Sequence, residues 1–446
     1  MSLHPDDQRR VIAFLSRPES HGLASGAVER IETHCSIVFL AGPHACKLKR
    51  AIRYSALDYT TPAARRAACE AELVLKRRTA PTLYLTVRAI TRDEAGHLAF
   101  DGPGVAVDHV VVMRRFAQSD LFDAMAARDA LTPELMRELG TAIARFHLAA
   151  ESRPDHGGSE AIERVIAANE RELALTARTL GGAAIDKLSH HARAALAGLA
   201  PLLDWRRSSG RVRRCHGDLR LANICLFGGH PTMFDCIEFS DEIGCIDLLY
   251  DLAFLLMDLE LGGRRDLANA VFNAHADVAP DAMGLRAMPL FLALRAATRS
   301  YALAGGALRQ TDPARAARLA MQARSHIAAG LDFLAPVRPR VIAVGGAADR
   351  DRHVAEHAAG AAPAPGARII RPDKAGDAAW REAAETLASG CSVLIDADFD
   401  DAAARARART LATAHAAPFE GLWSGGPAPA DAIAWRPLDA TERTPP

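Results

Sequence analysis

Aromatic residues make up only 5% of this 446-residue chain, although 49% of it is hydrophobic. Much of the apolar content is therefore alanine, the strongest helix former, and a helix-rich protein is expected. Neither charge is in excess: Lys and Arg number 54, Asp and Glu 54. That balance argues against nucleic acid and an anionic membrane surface as partners, because both select a basic excess. None of the eight cysteines forms a C-x-x-C pair, and zinc clusters usually draw on close ligand pairs. Cys245 sits in the run Cys-Ile-Asp-Leu-Leu, as expected of a small buried thiol in a reducing cytosol. The opening MSLHPDDQRRVIAFL puts charges where a signal peptide needs an apolar core. No uncharged apolar run approaches the ~20 residues of a membrane span. These absences predict a cytoplasmic protein with no membrane segment.

The length calls for two or three domains. Residues 1–30 read as a short helical lead-in, broken near Pro18 and Gly22. Strands are predicted at 36–40 and 45–49, joined by the turn signal Ala-Gly-Pro-His. A helix follows over 62–79 with Pro62 in its first turn. Further strands are predicted over 82–90 and 106–113. From Gln118 onward the pattern turns helical, with one helix over 131–150 that starts at Thr132-Pro133. A long charged helical stretch covers 159–205, short strands return over 215–239, and helices run from Asp247 to about Leu334. Pro336 to Pro339 reads as a linker. Beyond it, strands at 341–344, 368–371 and 392–395 alternate with helices at 376–389 and 401–416, the pattern of a small parallel α/β domain. The tail from Asp439 is polar and ends in proline.

The segment richest in chemistry is Cys215-His216-Gly217-Asp218-Leu219-Arg220-Leu221-Ala222-Asn223-Ile224, followed by Met233-Phe234-Asp235-Cys236-Ile237-Glu238-Phe239. Phosphoryl transfer demands electrostatics more than covalent chemistry. One carboxylate must orient the acceptor hydroxyl and take its proton, which suits Asp218. Mg²⁺ prefers oxygen ligands, which Asn223, five residues later, and Asp235, in a strand-like segment, both carry. Arg220 stands where a cation meets a γ-phosphate. Glu238 offers one more acid close to the metals.

H-G-D-L-x-x-x-N followed by a hydrophobic-Asp segment resembles the catalytic loop and metal-binding Asp of aminoglycoside phosphotransferases, relatives of protein kinases. The finer resemblance is to a bacterial group that fuses such a domain to a P-loop kinase-like domain. It is carried by Ile31 to His34, Val38 to Leu40, Lys47 to Lys49, Leu57-Asp58 and Tyr250 to Leu255. The resemblance implies an α+β, two-lobed protein-kinase-like fold followed by a small α/β P-loop-like domain. The N-lobe would be 31–116, the C-lobe with its helical acceptor-binding region 117–335, the linker 336–340, the second domain 341–438 and the tail 439–446. It also implies ATP and Mg²⁺ as cofactors and transfer of the γ-phosphate to a hydroxyl of a small-molecule acceptor.

The resemblance further requires a strand lysine for the α/β-phosphates and a helix glutamate to pair with it. Lys47 and Lys49 share one strand face; Lys47 is favoured, with Lys49 as the alternative. Glu72 is favoured over Glu70 because Leu73 and Leu75 follow it. No G-x-G-x-x-G is present, and Thr33, His34 and Ser36 fall where that loop belongs. Met113, on the strand entering the hinge, is placed at the adenine pocket. His216 is assigned a bracing role, as are Asp247 and Asp251.

The second domain departs from its relatives. Where they carry G-x-x-x-x-G-K-[ST], this chain reads Gly346-Ala347-Ala348-Asp349-Arg350-Asp351-Arg352-His353. A carboxylate at Asp351 repels phosphate and lacks glycine's backbone freedom, and Arg352 is no equivalent of lysine. This domain is expected not to bind ATP through that loop and to act as a docking or stabilising module. Two other readings stay open for the whole chain: a nucleotide-binding regulator or scaffold with little turnover, and a kinase acting on a protein hydroxyl.

Overall fold

A computed structural model describes residues 5–33, 35–54, 57–346, 352–372, 377–424 and 435–437. The chain divides into two compact units: Met1–Arg128 with His216–Asp218 and Ala222–Gly244, and the remainder.

The first unit is built on a six-stranded antiparallel sheet. Its strands are β1 (Glu29–Glu32), β2 (Ser36–Ala41), β3 (His44–Lys49), β4 (Tyr84–Arg92), β5 (Leu98–Phe100) and β6 (Val105–Arg114), in the order β1-β2-β3-β6-β4-β5. The two-residue alternation of β3 decides what each face holds. Cys46 and Leu48 enter one core with Ile37, Phe39, Ile90 and Val110, and α1 (Pro5–Leu15) closes it with Val11, Phe14 and Leu15. Lys47 and Lys49 point the other way. On that face, α2 (Pro62–Lys76) brings Cys69 against Val111, Leu83 and Tyr84. The Thr61 hydroxyl caps α2 by accepting from the Ala64 amide at 3.1 Å, with Pro62 in its first turn. The helix ends three residues before the predicted 79, because Pro81 cannot extend it and the chain closes in turns first. β7 (Ile224–Phe227) and β8 (His230–Met233) form a separate hairpin in this unit. The edge strands β1 and β5 were not foreseen; all four residues of β1 are exposed and carry no alternation.

The second unit begins with α3 (Pro133–Ala149), capped by Thr132. The expected single stretch over 159–205 is instead broken into α4 (Gly158–Leu175) and α5 (Gly182–Ser208). One turn of helix at Ala177–Leu180 lies between them, and Gly181, at φ +90, supplies the break before α5, a conformation open to glycine. Then follow α6 (Leu248–Leu261), α7 (Arg265–Val278), α8 (Met288–Leu308) and α9 (Pro313–Phe333). The unit ends in a parallel sheet of β9 (Val341–Gly346), β10 (Arg368–Ile370), β11 (Val393–Asp396), β12 (Phe419–Ser424) and β13 (Trp435–Pro437), in the order β10-β11-β9-β12-β13. α10 (Arg352–Gly360) covers one face through Val354, Ala355 and Ala359. α11 (Ala378–Ala388) and α12 (Ala402–Ala414) cover the other through Ala383, Leu387, Ala408 and Ala412. The alternation predicted three of these strands; β12 and β13 escaped because glycine and polar residues interrupt their apolar pattern. α7 meets this sheet through buried amides: Asn269 Nδ2 donates to the Ala367 carbonyl at 2.9 Å, and Asn273 Oδ1 accepts from the Ile369 amide at 2.7 Å.

Candidate active site

The loop at 216–218 is fastened to the segment after β8 by two hydrogen bonds. His216 Nε2 lies 2.9 Å from the Phe234 carbonyl, and the Ile237 amide donates to the His216 carbonyl at 2.9 Å. His216 is fully buried and fills the bracing role expected of it. Gly217 sits at φ +83, and a Cβ there would come within 3.0 Å of both Ile237 Cγ1 and the Ile243 carbonyl. Glycine is required on both counts. The five-residue spacing then folds back on itself: Asn223 Nδ2 donates to Asp218 Oδ2 at 2.7 Å and to the Asp218 carbonyl at 2.8 Å. Asp218 is thus held by Asn223 while half-buried.

Asp235 follows directly. The Phe234 amide donates to the Asn223 carbonyl at 2.9 Å, which ties the two motif segments together. Asp235 adopts φ +60, a left-handed conformation that Asp tolerates better than most side chains. Its amide lies 3.2 Å from the Tyr84 hydroxyl oxygen, which accepts. Its side chain keeps 42% of its surface exposed, enough to receive a ligand.

Lys47 meets this carboxylate, and Glu72 ties Lys47 to Lys49. Lys47 Nζ lies 2.6 Å from Asp235 Oδ1 and 3.0 Å from Glu72 Oε1. Lys49 Nζ lies 2.5 Å from Glu72 Oε2, also pairs with Glu238, and sits over the Tyr59 ring. Glu70, the alternative to Glu72, instead pairs with Arg66 in solvent at 2.8 Å. Lys76, one helical turn beyond Glu72, completes the cluster. Its Nζ lies 2.6 Å from Glu72 Oε1 and 3.5 Å from Glu238 Oε2, and it pairs directly with Asp235 Oδ1. Burial alone would push the carboxyls of Glu72 and Asp235 up, but the surrounding lysines outweigh it and hold both well below the usual range. Burial likewise opposes the charge on Lys49 and Lys76, and the carboxylates reverse that, raising both above an ordinary lysine.

The other expected residues fall in varied places. Thr33 and Ser36 bond to each other: the Thr33 hydroxyl donates to the Ser36 carbonyl at 2.9 Å and accepts from its amide at 3.0 Å, closing the turn between β1 and β2. His34 lies outside the described residues. Met113, on β6, packs beside Tyr84 and Val111. Arg220 has its guanidinium 5.5 Å from the centre of the Phe254 ring. Asp247 caps α6 and grips the buried Arg206 at 2.6 and 2.8 Å. Asp251 meets His147 Nε2 at 3.1 Å, and His147 Nδ1 meets His275 Nε2 at 3.1 Å. The loop amide of Leu221 goes to Asp258 Oδ2 at 3.2 Å. Lys76, Tyr84 and Asp258 were missed. For Lys76 a signal existed, its i,i+4 spacing from Glu72 on a helix; for Tyr84 and Asp258 there was none. Gly346 lies at the end of β9, where a Cβ would stand 1.9 Å from the Ser424 carbonyl, so strand packing alone requires glycine there. Asp351 lies outside the described residues, as do the side chains of Arg352 and His353.

Residues 58–286, just over half of the chain, match the model of the phosphotransferase enzyme family. This chain belongs to that family. An uncharacterized protein of Mycobacterium tuberculosis (strain H37Rv) is 30% identical over 273 residues, covering 60% of this chain and 53% of its own length. The chain spans about half the length of the curated relatives it matches. Among solved structures, a choline/ethanolamine kinase family protein from Mesorhizobium loti is 17% identical with a TM-score of 0.43, over 74% of this chain and 99% of its own. An amicoumacin kinase solved with AMP-PNP, Ca²⁺ and its ligand is 16% identical with a TM-score of 0.43, over 73% and 94%. No described helix is long and apolar enough to cross a membrane.

Proposed function

We propose that this phosphotransferase moves the γ-phosphate of ATP to a hydroxyl of a small-molecule acceptor in a Mg²⁺-dependent reaction. The observation that carries the reading is the pairing of two motifs within one unit. Asp218 is oriented by Asn223, and Asp235 is held beside the Lys47–Glu72 pair. Asp218 is the group that takes the acceptor's proton. Lys47, 12% exposed and already bridging two carboxylates, is the lysine for the α/β-phosphates; Lys49 is buried and occupied by Glu72 and Glu238.

The donor set fits a hard divalent ion: a part-exposed carboxylate at Asp235 and the amide oxygen of Asn223, both oxygen ligands of the kind Mg²⁺ prefers. When bound, Mg²⁺ would neutralise charge on the phosphates. The protein's own task is to hold Asp235, and Tyr84 from the main-chain side with Lys47 from the side chain supports that task. Arg220 is proposed to serve the transferred phosphate. The sheet of 341–437 is proposed as a stabilising module rather than a second ATP site. Its buried amide contacts with α7 support this, as does a packing reason for Gly346 that needs no phosphate.

Thermal stabilisation by Mg²⁺·ATP tests the reading. At ~100 times Kd a ligand adds about 2.7 kcal/mol, visible as a higher melting temperature in wild type and lost in Asp235→Ala. Labelled ATP with a lysate metabolite pool, run beside lysate proteins, then distinguishes a small-molecule acceptor from a protein hydroxyl. No stabilisation of wild type would point to a scaffold that carries the motif unused.

A further inference from the structure

The kinase-type pattern calls for one strand lysine, one helix glutamate and one metal-binding aspartate, and leaves Lys76 without a role. Its position is nevertheless specific. The side chain is 1% exposed and touches three carboxylates: Glu72, Asp235 and Glu238. A carboxylate oxygen offers about two lone-pair sites. At Asp235 Oδ1 both are taken, one by Lys47 and one by Lys76. Oδ2 is left for a metal.

Protein kinases hold two Mg²⁺ ions with this aspartate and the catalytic-loop asparagine. Here the two ammonium groups differ in what they can do when nucleotide arrives. Lys47 is the more exposed and can turn to the phosphates. Lys76 cannot leave: its other close partner, Glu72, is fully buried, and withdrawal would strip a buried charge of a counter-ion. Three ammonium groups (Lys47, Lys49, Lys76) already face three carboxylates (Glu72, Asp235, Glu238) before any metal binds. A divalent ion on Oδ1 would sit against the fixed, buried Lys76 ammonium, and like charges that close repel.

We propose that Lys76 stands in for a second divalent cation, so that this site takes one metal ion with its nucleotide. The proposal rests on the phosphotransferase reading above. Lys76 acts on the metal through Asp235 and is a positioning residue.

The test is a count. Mn²⁺, a substitute for Mg²⁺, is equilibrated with AMP-PNP across a dialysis membrane that retains the full chain, and bound Mn²⁺ per chain is the excess on the protein side over the nucleotide-only side at saturation. One Mn²⁺ is expected for wild type and for Lys76→Arg, which keeps the charge. Two are expected for Lys76→Met, which keeps the length and removes the charge. Two in wild type would overturn the proposal and leave the phosphotransferase reading intact, and this arm needs no variant to fold. One in a folded Lys76→Met would overturn the role of Lys76. No Mn²⁺ with AMP-PNP in wild type would overturn the phosphotransferase reading itself.

Discussion

Glu72 and Glu70 lie two residues apart on one helix, and substituting each by glutamine should have very different consequences. The Glu72 carboxylate is fully buried, with ammonium groups at 3.0, 2.5 and 2.6 Å from Lys47, Lys49 and Lys76. Glu72→Gln keeps the shape and removes the charge, leaving two almost wholly buried lysines short of a partner. Breaking a buried pair in this way costs about 3–5 kcal/mol. Glu70→Gln removes only an exposed i,i+4 pair with Arg66, worth about 0.3–0.5 kcal/mol. At ~2–4 °C per kcal/mol for a unit of this size, Glu72→Gln should lower the melting temperature by roughly 6–20 °C, and Glu70→Gln by no more than about 2 °C. Calorimetry of the full chain reads both. The pH dependence carries a sign. Burial pushes the Glu72 carboxyl up, Lys47, Lys76 and Lys49 overcome it, and the folded value lies below the ordinary 4.5. Its contribution is therefore complete above about pH 4.5 and is lost as pH falls further, so wild type and Glu72→Gln should converge in acid. A Glu72→Gln variant melting within about 2 °C of wild type at neutral pH would refute the cluster as a stabilising element.

Asp218→Asn should abolish phosphotransfer while leaving Mg²⁺·ATP stabilisation intact, checked by labelled-phosphate transfer and melting on the same sample. Asp235→Ala should lose that stabilisation, worth about 2.7 kcal/mol at ~100 times Kd. His275 is buried beside His147, and burial with that neighbour pushes its folded value down from 6.5 to about 3. The unfolded chain therefore takes up a proton first, and stability should fall by roughly 1.5–2 kcal/mol between pH 6.5 and 5. His275→Gln should flatten that slope in denaturant titrations. Asn273→Ala should strand the buried Ile369 amide, at about 1–3 kcal/mol, while the Ala367 carbonyl keeps the Asn269 amide. Hydrogen exchange at Ile369 should accelerate while the amide of Leu48, in the other unit, stays unchanged.

The family and most of the candidate site residues were legible in the chain because they depend on short-range pattern. H-G-D-L-x-x-x-N fixes Asp218 and Asn223 within one loop, and the period of two in His44–Lys49 puts Lys47 and Lys49 on the same face. Pro62 and Thr132-Pro133 announced two helix starts that hydrogen bonding bears out. The parallel alternation beyond 340 was likewise readable, apart from two strands whose glycines and polar residues hide the pattern. What local pattern could not supply was which charges meet across long separations. Lys76 and Asp235 are 159 residues apart and Lys47 and Asp235 are 188 apart, so only the packing of α2 against the sheet, with the 234–238 segment beside it, makes one cluster of three lysines and three carboxylates. The same packing separates Glu72 from Glu70, since one side of a helix turns inward and the other meets water. It also gives Tyr84, an ordinary strand residue by sequence, its hold on the Asp235 amide. The chain by itself determined the chemistry on offer; tertiary burial, which strengthens charge interactions by removing water, decided which residues act together.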